Sequence, residues 1–205
     1  MNYTTPSGYI TVSSAQVCTG TTVSYNAYPT NGNFVRFQYQ WNGTGGSWND
    51  WGNTNPYNWT SSTGTLYVRG VFTNGPCTYY TNPVATQVDA NSVIGNLSTS
   101  GPVKFCSSDG SFSPAVTVSG YTGTPTWQWG SNNGVWNSWV SGSASGTCCF
   151  PKQISSSDGT ADRMRVTVTN GVCPTVYSNT VLISDYYNEA PTSLTASANN
   201  ICPGT

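Results

Sequence analysis

The chain has 205 residues, of which six are Lys or Arg, seven are Asp or Glu and none is His, for a formal net charge of -1. Without imidazole there is no Ser-His or Cys-His nucleophile pair and no His metal ligand, and six scattered cations cannot neutralise a run of phosphates or hold a chain on an anionic bilayer. Catalysis, cofactor and metal binding, nucleic acid and membrane insertion are therefore set aside, while 13% aromatic residues against 6% charged ones supply the apolar surface that a disordered chain lacks.

In chain order, the polar start Met1–Ser7 lacks the basic and apolar regions of a secretory leader, and no later stretch reaches the roughly 20 apolar residues of a membrane span. Thr22–Tyr25 reads as a strand and Phe37–Trp41 as a central one, followed by Trp48-Asn-Asp-Trp51. Leu66, Val68 and Phe72 alternate with Tyr67 and Arg69, the period of two expected of a strand with one buried face. Asn74-Gly75, two residues tolerant of positive φ, marks a hairpin just before Cys77. Val84–Val88 closes the unit, and Asp89–Asn96 is a polar linker.

The pattern then starts again. An offset of 88 residues lays Cys18 on Cys106, Trp41 on Trp129 and Trp48–Trp51 on Trp136–Trp139. An offset of 96 lays Val68–Cys77 on Met164–Cys173, so the second copy holds eight extra residues between Trp139 and Met164, a stretch that includes Cys148-Cys149. Ala115–Val118, Thr126–Trp129, Met164–Val168 and Thr180–Ile183 repeat the strands of the first copy, and Asn170-Gly171 repeats its turn. Cys202-Pro-Gly-Thr205 resembles Cys18-Thr-Gly-Thr21, the opening of a third copy whose closing cysteine would lie further on. The expected organisation is repeat 1 over 1–90, repeat 2 over 91–187 and the first strand of a truncated repeat 3 over 188–205. Short strands, turns every 8 to 12 residues and few helices describe an all-β protein of tandem immunoglobulin-like antiparallel β-sandwiches.

Seven cysteines without a CxxC pattern point to an oxidising compartment and thus to secretion. Cys18 with Cys77, and Cys106 with Cys173, occupy equivalent positions in their copies and are the expected bridges, each closing a loop worth roughly 4 kcal/mol of chain entropy. Cys148-Cys149 fits a strained vicinal ring or bonds to other chains. Cys202 is left for its own repeat.

The strand starts after Cys, Tyr39-Gln-Trp41 or Trp127-Gln-Trp129, Leu66-Tyr-Val-Arg69 leading to Thr73-Asn-Gly-Pro-Cys77, and Tyr177-Ser-Asn-Thr-Val181 together resemble the immunoglobulin-like repeats of large Bacteroidetes cell-surface adhesins, among them gliding-motility adhesins exported by type IX secretion. The resemblance spans both full copies and the start of the third. It implies a non-enzymatic structural segment of a long extracellular adhesin or filament at the cell surface, mediating attachment. Its partners would be neighbouring repeats of the same chain, with surface polysaccharide or lateral self-association as further candidates.

Trp48, Trp51, Trp136 and Trp139 are the candidate glycan contacts, since exposed indoles stack on sugar rings and the neighbouring Asn can bond hydroxyls. The competing reading is packing, because residues three apart in a strand face opposite sides. Trp41 and Trp129, in mid-strand, are expected in the core. Asp158 and Asp162 are too sparse for a calcium loop and read as solvated turn residues. Arg69 and Arg165 sit at matched outward positions suited to sheet-surface packing or an ion pair. The sequons at Asn42 and Asn58 count for little in a chain so rich in Asn, Ser and Thr.

Overall fold

The computed structural model describes residues 4–101, 103–106, 111–113, 116–130, 135–141 and 162–185. Among them every regular element is a strand, and no helix is long and apolar enough to cross a membrane. Two compact units are formed, one from Met1–Gly95, Ser119–Pro125 and Thr167–Ser178, the other from Asn96–Val118, Thr126–Val166 and Asn179–Thr205.

The first unit holds β1 (Ser7–Val12), β2 (Gln16–Cys18), β3 (Thr22–Asn31), β4 (Asn33–Trp41), β5 (Asn49–Gly52), β6 (Tyr57–Thr60), β7 (Gly64–Asn74), β8 (Cys77–Tyr80) and β9 (Val84–Asp89). They make a three-stranded sheet, β1-β3-β6, and a larger one, β2-β9-β7-β4-β5, with β8 beside β7. All neighbours are antiparallel except β2 and β9. Alternation puts Val23, Tyr25 and Ala27 of β3 inward against Phe37 of β4 and Leu66, Val68 and Phe72 of β7, so the two sheets share one core. Tyr25 is fully buried, and its hydroxyl is satisfied by Thr86 at 2.7 Å, as a buried polar group requires.

The described strands of the second copy repeat most of this order. They are β10 (Leu97–Ser98), β11 (Val103–Cys106), β12 (Ser111–Ser113), β13 (Thr117–Val118), β14 (Thr124–Gly130), β15 (Trp136–Ser141), β16 (Asp162–Thr169), β17 (Val176–Tyr177) and β18 (Val181–Asp185). β10 pairs β13 as β1 pairs β3, β11 runs parallel to β18 as β2 does to β9, and β16 lies between β18 and β14 as β7 lies between β9 and β4. Met164, Val166 and Val168 are fully buried, as their period of two requires. The fold is all-β and built of sandwich repeats.

Several sequence expectations need correction or fall outside these residues. The ladders match Tyr39, facing Asn49, with Trp129, facing Asn137, and so match Phe37 with Trp127. These two are the fully buried core residues, while Trp41 ends β4, is 39% exposed and meets Trp59 edge-on at 5.6 Å. Trp129 is half-buried. Both strands carry the same irregularity just before Gln38 and Gln128, but the connection to the next strand is two residues shorter in the second copy, Tyr39 facing Asn49 and Trp129 facing Asn137, so the gapless offset of 88 misplaces the strand by two residues. The hairpin is centred on Gly75-Pro76 and Gly171-Val172, because the glycines alone take positive φ, 59° and 54°, and the flanking Asn residues do not. Glycine at the first central position of a two-residue turn gives the same tight reversal.

The bridges also differ: Cys18 is bonded to Cys173, and Cys77 is a free thiol. Strand lengths explain why Cys18 and Cys77 cannot meet. Cys18 faces Asp89, Gly64 faces Val88, and Cys77 faces Asn74 at the opposite end of β7. Ten residue steps separate the two ends of β7, or about 33 Å at the rise of a strand, against the roughly 4–7 Å between Cα atoms that a disulfide spans. Cys106 and Cys173 hold the corresponding places in the second copy, and the pairing expected for them fails as well, because Cys173 is bonded to Cys18. Cys148-Cys149, Asp158 and the third copy at 188–205, with Cys202, lie outside the described residues.

Candidate functional site

Two constellations stand out, one around the disulfide and one on the outer face of the larger sheet. At the first, the end of β2 is held by three hydrogen bonds to Asp89 and Ser61. Thr19 donates its amide to the Asp89 carbonyl at 3.0 Å, Gly20 donates to the Ser61 carbonyl at 2.9 Å, and Ser61 Oγ donates to the Cys18 carbonyl at 2.8 Å. Facing it, Cys173 closes its turn by donating its amide to the Asn170 carbonyl at 2.9 Å. Asn170 Nδ2 donates to the Ala90 carbonyl at 2.8 Å, its amide donates to Ser92 Oγ at 3.0 Å, and the Val172 amide donates to Asp89 Oδ2 at 3.2 Å. Cys18 and Cys173 thus arrive with Cα atoms 5.4 Å apart, both within the first compact unit.

Asp89 is the polar centre of this joint. Gln87 and Gln16 donate side-chain amides to it at 2.9 and 2.8 Å. With the Val172 amide they hold its carboxyl below the usual carboxylate range, Gln87 contributing most. Cys173 is 3% exposed, whereas Cys77 at the matching turn is half-exposed.

On the outer face, Gln38 of β4 links two neighbours. Its Nε2 donates to Asp50 Oδ1 at 2.8 Å, and its Oε1 accepts from Arg69 Nε at 2.9 Å. Arg36 Nε donates to the same Asp50 oxygen at 2.8 Å. These donors, Gln38 first, hold the Asp50 carboxyl below its ordinary value. Arg69 lies between two rings, with Cζ 4.3 Å from the centroid of Trp48 and 4.3 Å from that of Tyr80, a double cation–π contact. Partial burial there lowers the guanidinium from its ordinary value, yet it remains charged at neutral pH. The second copy rebuilds the motif: Arg165 Nε donates to Gln128 Oε1 at 2.8 Å and its Cζ stands 4.0 Å over the Trp136 ring.

The Trp pairs therefore divide as their spacing suggests. Trp48 is half-exposed on the outer face, while Trp51 turns inward, with ring centroids 4.4 Å from Tyr57, 5.3 Å from Tyr39 and 5.5 Å from Tyr25. Trp136 is half-exposed in β15. Trp139 lies in the same strand, but its side chain is outside the described set. Sequence reasoning missed the Gln38 and Tyr80 members of the cluster. The available signal was the recurrence of Trp48 and Arg69 as Trp136 and Arg165 in a chain with only six basic residues. Among the described residues no group of three or more His, Cys, Asp or Glu could hold a metal ion.

No protein-family model matches the chain, and no curated protein does. Among solved structures, the chain is similar to the FN1–FN3 domains of chicken CNTN1, with 13% identity and a TM-score of 0.32 over 88% of this chain and 67% of that one. A likeness that distant carries no argument about what the chain does.

Proposed function

We propose that the chain is a structural, non-enzymatic repeat segment of a long secreted adhesin or filament, with one unit over 1–90, the next over 91–187 and another beginning at 188. Such an array spaces a distal tip from the cell and carries tension. The observation that supports this reading is a disulfide joining cysteines 155 residues apart in a chain whose strand order is for the most part laid down twice. A bridge of this kind persists in oxidising surroundings, and repetition with so few charges suits a spacer better than a reaction centre. The sequence resemblance to gliding-motility adhesins is the reason to look at attachment and surface movement. The test is labelling of intact cells of the source organism with antibodies to this chain, together with loss of surface attachment when the parent gene is deleted. Labelling that requires permeabilised cells would contradict the proposal.

A second reading, surface-polysaccharide binding, is favoured by Trp48 and Trp136, the half-exposed members of their pairs. Arg69 and Arg165 already cover one face of each indole, which leaves a single face for a sugar ring. Retention of the chain on a polysaccharide column, abolished by Trp48→Ala with Trp136→Ala, would support it; equal retention of the double variant would remove it.

A further inference from the structure

The two glycine-centred turns are built alike, yet they differ in what their cysteines do. Gly75 and Gly171 share the same positive φ, and each turn ends in a cysteine. The Asn before each glycine grips the segment entering its own copy. Asn74 Nδ2 donates to the Thr4 carbonyl and Thr4 Oγ1 at 3.1 and 3.0 Å, while Asn170 bonds Ala90 and Ser92. Thr4 and Ser92 are themselves 88 residues apart, the offset of the repeat. In the second copy that entering segment follows directly on Asp89, beside Cys18, and the turn's cysteine is bonded and buried. In the first copy the cysteine is free and half-exposed, and the length of β7 keeps it from Cys18.

We propose that Cys77 is one half of a joint, the thiol that bonds the Cys18-type cysteine of another copy of this unit. Cys18–Cys173 is then one instance of a rule in which each copy is tied to the next by sulfur as well as by main chain. Cys106, which stands in the second copy where Cys18 stands in the first, is the complementary half at the other end. The chemistry is thiol–disulfide exchange. A Cys77 thiolate attacks a small-molecule disulfide such as oxidised glutathione, releasing one glutathione thiolate. The Cys18-type thiolate then displaces the second, so two protein thiols are oxidised and one glutathione disulfide is reduced to two thiols. The inference rests on the repeat and is independent of where the protein is displayed, so absence from the cell surface would leave it standing.

The 205-residue chain itself supplies the test, since Cys77 of one molecule can meet Cys106 of another. Concentrated protein treated with oxidised glutathione should give a ladder of covalent multimers on a non-reducing gel. Reductant should collapse the ladder and Cys77→Ser should remove it, with Cys18–Cys173 still recovered from both proteins as the sign of an intact fold. Mass spectrometry of the ladder should find Cys77 joined to Cys106, or to Cys202, which aligns with Cys18 in sequence. Cys77 recovered with Cys18, Cys148 or Cys149, or only as a glutathione adduct without a ladder, would overturn the proposal. So would a ladder undiminished in Cys77→Ser, and the mapping of the unaltered chain decides the matter without any variant.

Discussion

Arg69 shows how one side chain replaces several interactions in a charge-poor surface. Its guanidinium fills the space between Trp48 and Tyr80 and donates to Gln38. Arg69→Ala should therefore cost about 1–2 kcal/mol in chemical denaturation, from two partly solvated cation–π contacts and one charge-assisted hydrogen bond. Arg69→Lys should recover only part of this, since an ammonium cannot present a flat face to both rings. Tyr25 makes a second prediction. Burial pushes its hydroxyl up to about 12 from the usual 10.0, the bond with Thr86 opposing the shift. A raised folded-state pKa means that the native state favours the protonated phenol. Its contribution is thus complete below about pH 10 and is lost as pH rises towards 12. Stability measured by denaturation should fall across that window, and Tyr25→Phe should flatten the fall.

At the scale of elements, the central strands decide the core. Phe37→Ala should cost about 3–5 kcal/mol, as for other buried aromatics, whereas Trp41→Ala, at the exposed end of the same strand, should cost much less. The turn at Gly171 is similarly sharp. A Cβ there would fall on the Asp89 carboxylate, and the backbone already sits at φ 54°, so Gly171→Ala should destabilise by at least about 1–2 kcal/mol. Asp89 adds a pH signature of opposite sign to that of Tyr25. Its lowered pKa contributes stability above the ordinary carboxylate range, and that stability is lost as acid titrates the folded-state carboxyl. Asp89→Asn should weaken this acid dependence.

The strands at Leu66–Phe72 and Met164–Val168 were legible in sequence because period two maps directly onto burial. Phe37 was not, because the connection from β14 to β15 is two residues shorter than that from β4 to β5, which breaks the count that an ungapped offset relies on. The outward place of Arg69 was visible, but its contact with Tyr80 was not, since it depends on how β8 folds back on β7.

For the whole molecule, the pairing of cysteines was the step that sequence could not take. A repeat shows which cysteines are equivalent, but bonding within a copy and bonding from one copy to the next leave the same periodic pattern. The length of β7 separates the two. The loop closed by Cys18–Cys173 spans 155 residues, which chain entropy rates at about 5 kcal/mol, so reduction should lower the thermal midpoint by many degrees. The most direct test of the account is non-reducing peptide mapping of the native chain by mass spectrometry. It should yield a peptide pair containing Cys18 and Cys173, whereas a pair containing Cys18 and Cys77 would contradict the architecture described above.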